Sequence, residues 1–372
     1  MLNLQTIISN SAFLKKRVKQ VCLDAIDLSD ESFKISSDNL FFSGNKSSSD
    51  NSLSNLTNLS NLALSIRLTG LINPIVLREI DDKYIVVSGF KRVSAMRSIG
   101  MRETPASILS HLDFDKDKTY DFRFYEVQSA LIAISDNAFS RQLNVMEQAR
   151  GVRLLKRFCS SYDIAQNSPA IFNVNMGESL INMLDDIANM PLSIHELIES
   201  DKLSMSSALK FKQYGYDNSL IESFATLFSK IKCSLSKQKE IITNIHEIAA
   251  REEISASDLI ESKEISQILD SQSDNCSSNV NDENQKANLI RSILFNRRYP
   301  NLFKAKERFS NNLKMLNLNS GMKSDIKLDP PADFESRDYT ITLKFSNVEE
   351  LSKKANILSA LTKNPLFGDI TD

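Results

Sequence analysis

IRLTGLINPIVLREIDDKYIVVSGFKRVSAMRSIGMRETPASIL, residues Ile66–Leu109, is the stretch whose reading decides the fold. From Pro74 to Ile80 and from Lys83 to Ser88 apolar and β-branched residues dominate. Asp81-Asp82 between the two runs suits a tight connection, so the pair predicts a β-hairpin. Gly89 closes the second strand. Val93, Met96 and Ile99 then recur at helical spacing, which predicts a helix from Phe90 to Ile99, with Gly100 placed to end it in a left-handed conformation. A short strand, Thr104–Leu109, follows.

Lys91 and Arg92 fall in the first turn of that helix. The backbone N–H groups there lack partners and the dipole is positive, so an anion is favoured and a cation is locally unfavourable. Two readings stand equally: a phosphate or carboxylate held between the two cations, or both side chains in water at a cost of only about 0.3–1 kcal/mol.

Outward from this stretch, length and composition set limits. A chain of 372 residues exceeds one ordinary core and predicts two or three domains. Hydrophobic residues at 41% and charged residues at 25% describe a globular protein. No apolar run reaches the roughly 20 residues of a membrane span, and the first residues lack a signal-peptide pattern, so the expected location is the cytoplasm, with no membrane partner. Cys22, Cys159, Cys233 and Cys276 are scattered, and so are His111, His195 and His246; neither a disulfide framework nor a zinc site is indicated. The formal net charge of −2 excludes a protein that coats DNA through bulk electrostatics. A nucleic-acid surface would have to be local. Lys15, Lys16, Arg17 and Lys19, then Arg150, Arg153, Lys156 and Arg157, then Arg291, Arg297 and Arg298 are the candidate patches, each also readable as a solvated face.

The order of blocks is similar to a known family. Leu62, Leu64 and Ile66, then G-L-I-N-P-I-V-L-R at Gly70–Arg78, the hairpin, and S-G-F-K-R-V-S-A at Ser88–Ala95 resemble the N-terminal domain of the ParB family, whose last piece reads G-E-R-R-x-R-A. A second block, Asp136-Asn137 and then L-N-V-M-E-Q-A at Leu143–Ala149, resembles the family's E-N-L-Q-R-x-x-L-N-P-x-E-x-A. The resemblance extends from Val21 to about Leu209 and implies CTP and magnesium as ligands, DNA as a partner, a homodimer, and a partner ATPase that Lys16-Arg17 could engage. It implies nucleotide contacts at Gly70, Leu71, Ile72, Asn73, Gly89, Lys91, Arg92, Ser94 and Asn137, and a metal contact at Asp136, a shorter acid than the family's Glu. The second basic patch follows directly on the L-N-V-M-E-Q-A block, and its Arg150, Arg153, Lys156 and Arg157 are the nominated DNA contacts. Phe90 stands where the family has a Glu associated with hydrolysis, and a phenyl ring can neither orient a water nor take its proton, so at most weak CTPase activity is expected. Lys91 and Ser94 replace two arginines, and a lysine lacks the planar fork that grips two oxygens. Sulfiredoxin shares this fold, but no cysteine lies between Cys22 and Cys159 to act as its nucleophile.

The rest of the chain is placed relative to that domain. Helical character is expected around Phe13–Val18, and Val21–Ile26 reads as the first strand. Ser43–Asn61, rich in Ser and Asn, predicts a loop from which a helix emerges, because leucines 53, 56, 59, 62 and 64 approach helical spacing. Asp121–Ile134 predicts a helix ending at Ser135-Asp136-Asn137, and Leu143–Phe158 another. Met190–Ile198 and Lys202–Leu209 resemble the family's helical DNA-binding domain, whereas Met176–Met190 carries Glu178, Asp185 and Asp186, the wrong sign to face phosphates. Tyr299-Pro300 breaks a basic helix, Tyr339, Ile341, Leu343 and Phe345 alternate like a strand, and Val348–Leu361 reads as a helix. The expected class is α+β: a ParB/sulfiredoxin-like mixed α/β domain (21–158) after an N-terminal segment (1–20), an all-α helix-turn-helix-like domain (159–270), a linker (271–286) and a small α+β C-terminal domain (287–372). The alternative to a partitioning protein is a degenerate adaptor that binds neither nucleotide nor specific DNA.

Overall fold

The hairpin of Ile75–Ile80 (β3) and Lys83–Ser88 (β4) lies at the centre of a five-stranded sheet. The computed structural model describes residues 16–36, 49–80, 83–109, 119–271, 279–315, 326–331, 334, 338–363 and 367. With β1 (Lys16–Cys22), β2 (Ile26–Asp27) and β5 (Glu103–Leu109) the strand order is β1-β5-β3-β4-β2. β3 pairs antiparallel with β4, Ile80 opposite Lys83, and parallel with β5, Ile75 opposite Ala106. An unbroken buried run, Ile75 to Arg78, is what a central strand covered on both faces needs. One parity, Ile75 and Leu77, joins Val86, Ala63, Ile66, Val93 and Met96 in a single core that holds helices α1 (Ser49–Thr69) and α2 (Phe90–Ser98) against the sheet. The other parity meets α3 (Thr119–Ala138): buried Arg78 pairs with Glu126, and its guanidinium lies 4.4 Å from the centre of the Tyr125 ring.

Four expectations need correction. Lys16–Cys22 is a strand, not part of a helix, because it pairs antiparallel with β5 in a register from Lys16 opposite Leu109 to Cys22 opposite Glu103. A partner strand 81 to 93 residues away overrides local periodicity there. The strand expected over Val21–Ile26 is divided by a 3-10 turn at Leu23–Ala25. α3 runs on to Ala138, so Asp136 and Asn137 sit inside its last turn instead of capping it. A helix occupies Asn279–Arg298, including residues assigned to the linker. The Asp81-Asp82 turn, the Phe13–Lys15 segment, Lys15, His111, Cys276 and residues 272–278 lie outside the described residues.

The chain divides into two compact units, Met1–Ala225 and Thr226–Asp372, and the boundary expected after residue 158 lies within the first. In the first unit α4 (Val145–Lys156) opens with a capping box, Asn144 Oδ1 accepting from the Glu147 N–H and Glu147 accepting from the Asn144 N–H, an arrangement worth about 1 kcal/mol. α5 (Ser161–Phe172), α6 (Glu178–Ala188), α7 (Leu192–Glu199) and α8 (Met205–Gln213) follow. In the second unit Leu235–Glu252 and Asn279–Arg298 lie side by side, joined by Arg291–Glu240 and Arg297–Glu252 pairs at 2.6 Å and by Arg298–Glu247. The third basic patch is therefore engaged within its own unit. A strand pair, Ile326–Asp329 with Thr340–Leu343, and a helix, Val348–Leu361, complete the α+β C-terminal part.

Candidate functional site

The positive backbone φ of Gly89 shapes the site. At φ +108° it turns the chain from β4 into α2, and a Cβ added there would lie 2.8 Å from the Ile75 side chain, so glycine is required on conformational and steric grounds. The turn points the open N-terminus of α2 into a cleft of about 340 Å³. Gly70, at φ +74°, ends α1 with its N–H on the Ile66 carbonyl at 2.9 Å and leads Leu71, Ile72 and Asn73 along the same cleft. The end of α3 supplies Asp136 and Asn137. Segments distant in sequence thus meet around one concavity, with an apolar flank of Phe33, Ile35, Leu62 and Ile66.

The two adjacent cations behave differently. Arg92 turns inward: Nη1 donates to the carbonyls of Asn73 at 2.8 Å and Pro74 at 3.1 Å, and Nη2 meets Asp136 Oδ2 at 3.1 Å. It ties the Gly70–Pro74 segment, α2 and α3 together. Ser88 donates to the same Oδ2. Lys91 is exposed as a residue, yet crowding at the cleft wall, and after it repulsion from Arg141, holds its ammonium below the usual lysine value, with Glu147 opposing. Arg141 is gripped by Glu147 through two hydrogen bonds of 2.5 and 2.6 Å, which raise its pKa further, and it lines the cleft beside Ser140.

Of the residues nominated from sequence, Gly70, Leu71, Ile72, Asn73, Gly89, Lys91, Arg92, Asp136 and Asn137 all line this cleft. Ser94 does not; it is buried with Val93, Ala95 and Met96. Asn137 donates back to the Ala133 carbonyl at 2.8 Å, so its amide is held by its own helix. Ser88 and Arg141 were missed by sequence reasoning. Ser88 lay within the quoted block, and Arg141 lay next to Asp136-Asn137 with a charge that called for a partner. Among the described residues no group of three or more His, Cys, Asp or Glu side chains could hold a metal ion. Asp136 alone would fit magnesium only if a guest's phosphates supplied further oxygens.

Arg150, Arg153 and Arg157 of the second patch line one cavity, which Lys156 does not share, and the four side chains meet different partners. Arg150 pairs with Glu199 at 2.9 Å and donates to the Ile35 carbonyl at 3.3 Å; Arg153 donates to the Ala188 carbonyl at the end of α6 at 2.6 Å. Lys156 donates to the Ser161 hydroxyl at 2.8 Å, and Arg157 lies 5.7 Å from the Phe158 ring centre. Lys19 donates to the Tyr84 hydroxyl at 2.8 Å. No helix of the described residues is long and apolar enough to cross a membrane.

Residues 43–120, which carry the hairpin, Gly89 and α2, match the ParB N-terminal domain family. The chain is ParB-like. It is 30% identical over 152 residues to a probable chromosome-partitioning protein ParB of Xylella fastidiosa, covering 40% of this chain and 43% of that protein. It is 27% identical over 150 residues to the chromosome-partitioning protein ParB of Myxococcus xanthus, covering 40% of this chain and 45% of that one. The match therefore spans less than half the length of these curated relatives. Among solved structures, the C-terminally truncated ParB of Caulobacter crescentus complexed with CTP-gamma-S aligns over 50% of this chain and 87% of its own, at 18% identity and a TM-score of 0.21.

Proposed function

We propose that this ParB-like chain is a cytoplasmic DNA-partitioning protein of the chromosome or plasmid type whose N-terminal cleft binds CTP with magnesium and thereby favours a closed homodimer around DNA. The observation that carries the reading is the convergence of Gly70–Asn73, the Gly89–Arg92 turn and Asp136 on one cleft. Lys91 and the open N–H groups of α2 would take the phosphates, Arg141 would add positive charge, and the apolar flank would take the base. Asp136 would help to hold magnesium, which when bound would draw charge from the phosphate oxygens; the same carboxylate accepts from Ser88 and Arg92. Phe90 lines the cleft and offers no proton acceptor, so binding acts as a switch with weak or no hydrolysis. Equilibrium titration of the four ribonucleoside triphosphates with magnesium tests this in wild type and Lys91→Ala. Saturable CTP binding, weakened in the variant, is expected; no binding of any nucleotide overturns it.

A second reading, an adaptor that binds neither nucleotide nor specific DNA, draws on one observation. α6 carries Glu178, Asp185 and Asp186 without a Lys or Arg of its own, and Asp186 pairs with Lys212. Competition between duplexes of different sequence decides this branch, since only competition separates sequence recognition from general phosphate attraction.

A further inference from the structure

The segment from Glu31 to Ser36 is a wall with two faces. Phe33 and Ile35, both buried, line the cleft described above, while Ser32 and Lys34 line a second cavity of about 480 Å³ on the other side, against α4. Residues 31–34 form a turn closed by the Lys34 N–H on the Glu31 carbonyl at 2.9 Å, and neighbouring side chains leave it for opposite cavities. Arg150 fixes the wall by donating to the Ile35 carbonyl, and its remaining charge is met by Glu199 at 2.9 Å. The second cavity gathers Lys34, Arg150, Arg153 and Arg157 but only one carboxylate, Glu31, which pairs with Lys34 at 2.5 Å.

The cations that remain are therefore Arg153 and Arg157. Both are exposed residues, and the partners recorded for them are neutral: the Ala188 carbonyl for one and the Phe158 ring for the other. A concave site with unbalanced guanidinium charge is suited to phosphate oxygens, which accept paired N–H donors in the geometry that arginine offers. We infer that this cavity is a second anion site, separate from the nucleotide cleft, which takes a phosphate group through Arg153 and Arg157. The group could belong to a DNA backbone or to a free phosphate compound; the chemistry is shared. The inference does not depend on nucleotide binding in the first cleft or on sequence-specific contacts by α6.

Inorganic pyrophosphate is the probe, titrated calorimetrically at low salt into the full chain. Saturable binding is expected, about tenfold weaker in the Arg153→Ala/Arg157→Ala double variant and retained in Lys91→Ala, which removes a cation from the other cleft. Circular dichroism checks that the double variant folds, and Arg157→Gln alone, at an exposed position, gives the same direction with a smaller loss. Displacement of pyrophosphate by non-specific duplex DNA assigns the natural group to a DNA backbone; its persistence assigns it to a free phosphate. The inference is overturned if pyrophosphate does not bind saturably, if the double variant binds it as well as wild type, or if Lys91→Ala alone abolishes binding.

Discussion

The cleft at the mouth of α2 and the basic cavity beside α4 lie on opposite faces of residues 31–36, yet they hold charge by different means. In the cleft a glycine turn, a helix terminus and a carboxylate from α3 sit beside an apolar flank, and the one arginine that bridges its walls, Arg92, is committed to protein atoms. The basic cavity has no such frame; its cations are the long side chains of Arg150 and Arg153 on α4, Arg157 just beyond it, and Lys34 from the wall. A site made from backbone turns should fail when its geometry fails. One made from side-chain charge should weaken in proportion to the charge removed.

Gly89→Ala presses hardest on this contrast. It forces an alanine to φ +108° with its Cβ 2.8 Å from Ile75, and backbone strain of this kind costs about 1–3 kcal/mol. Urea denaturation should show that loss, and CTP binding should vanish with it, while pyrophosphate binding at the basic cavity persists. Loss of both together would mean that the two concavities form a single structural unit.

Arg92→Ala and Lys91→Ala come next. Removing Arg92 leaves the Asn73 and Pro74 carbonyls without its guanidinium and Asp136 with only the Ser88 hydroxyl, so stability should fall by about 1.5–3 kcal/mol along with nucleotide affinity. Removing Lys91 should leave the unfolding midpoint near wild type and weaken CTP roughly tenfold. Neighbours in sequence would thus divide into a frame residue and a ligand residue. Equal stability losses would cancel the distinction.

Much of this was legible in sequence wherever the deciding interaction is local. The hairpin strands, the Gly89 turn and the left-handed Gly100 follow from β-branched runs, glycine and apolar spacing. What was hidden depends on distant partners. Lys16–Cys22 is a strand because β5 pairs with it, and periodicity has no access to that pairing. Asp136 and Asn137 favour helix ends in isolation, yet packing of Ala133, Ile134 and Ala138 carries α3 past them. Arg92 and Lys91 cannot be told apart in sequence; only the position of the Asn73 and Pro74 carbonyls separates them. Ser94 was nominated by its place in a motif, whereas the helix turns it into the core.

The pH response of the cleft follows from Lys91, whose ammonium lies below the ordinary lysine value because of burial and then Arg141. A bound phosphate favours the charged form, so CTP affinity should be constant at neutral pH and fall as pH rises through the free-state value, before the ordinary lysine range is reached. Lys91→Arg should remove the fall, since an arginine stays charged. A wild-type profile that stays flat until the ordinary lysine range is reached would place Lys91 outside the phosphate contacts.

The smallest effect belongs to the other side of the wall. His195 on α7 is buried, its Nε2 donating to the Ile187 carbonyl at 2.9 Å, and its pKa is lowered first by burial and also by the positive fields of Arg150 and Arg153. Below the ordinary value of about 6.5 the unfolded chain binds a proton that the folded chain does not, so His195 contributes stability that is complete above that pH and is lost as pH falls through the lowered value. An anion in the basic cavity would offset the arginine fields and raise the His195 pKa. Imidazole resonances followed by NMR should therefore titrate at higher pH with pyrophosphate than without it. The shift should disappear in Arg153→Ala/Arg157→Ala, because the anion no longer binds beside α4. A pyrophosphate-induced shift of the same size in that double variant would put the anion elsewhere, and the charge-built half of the comparison would fall.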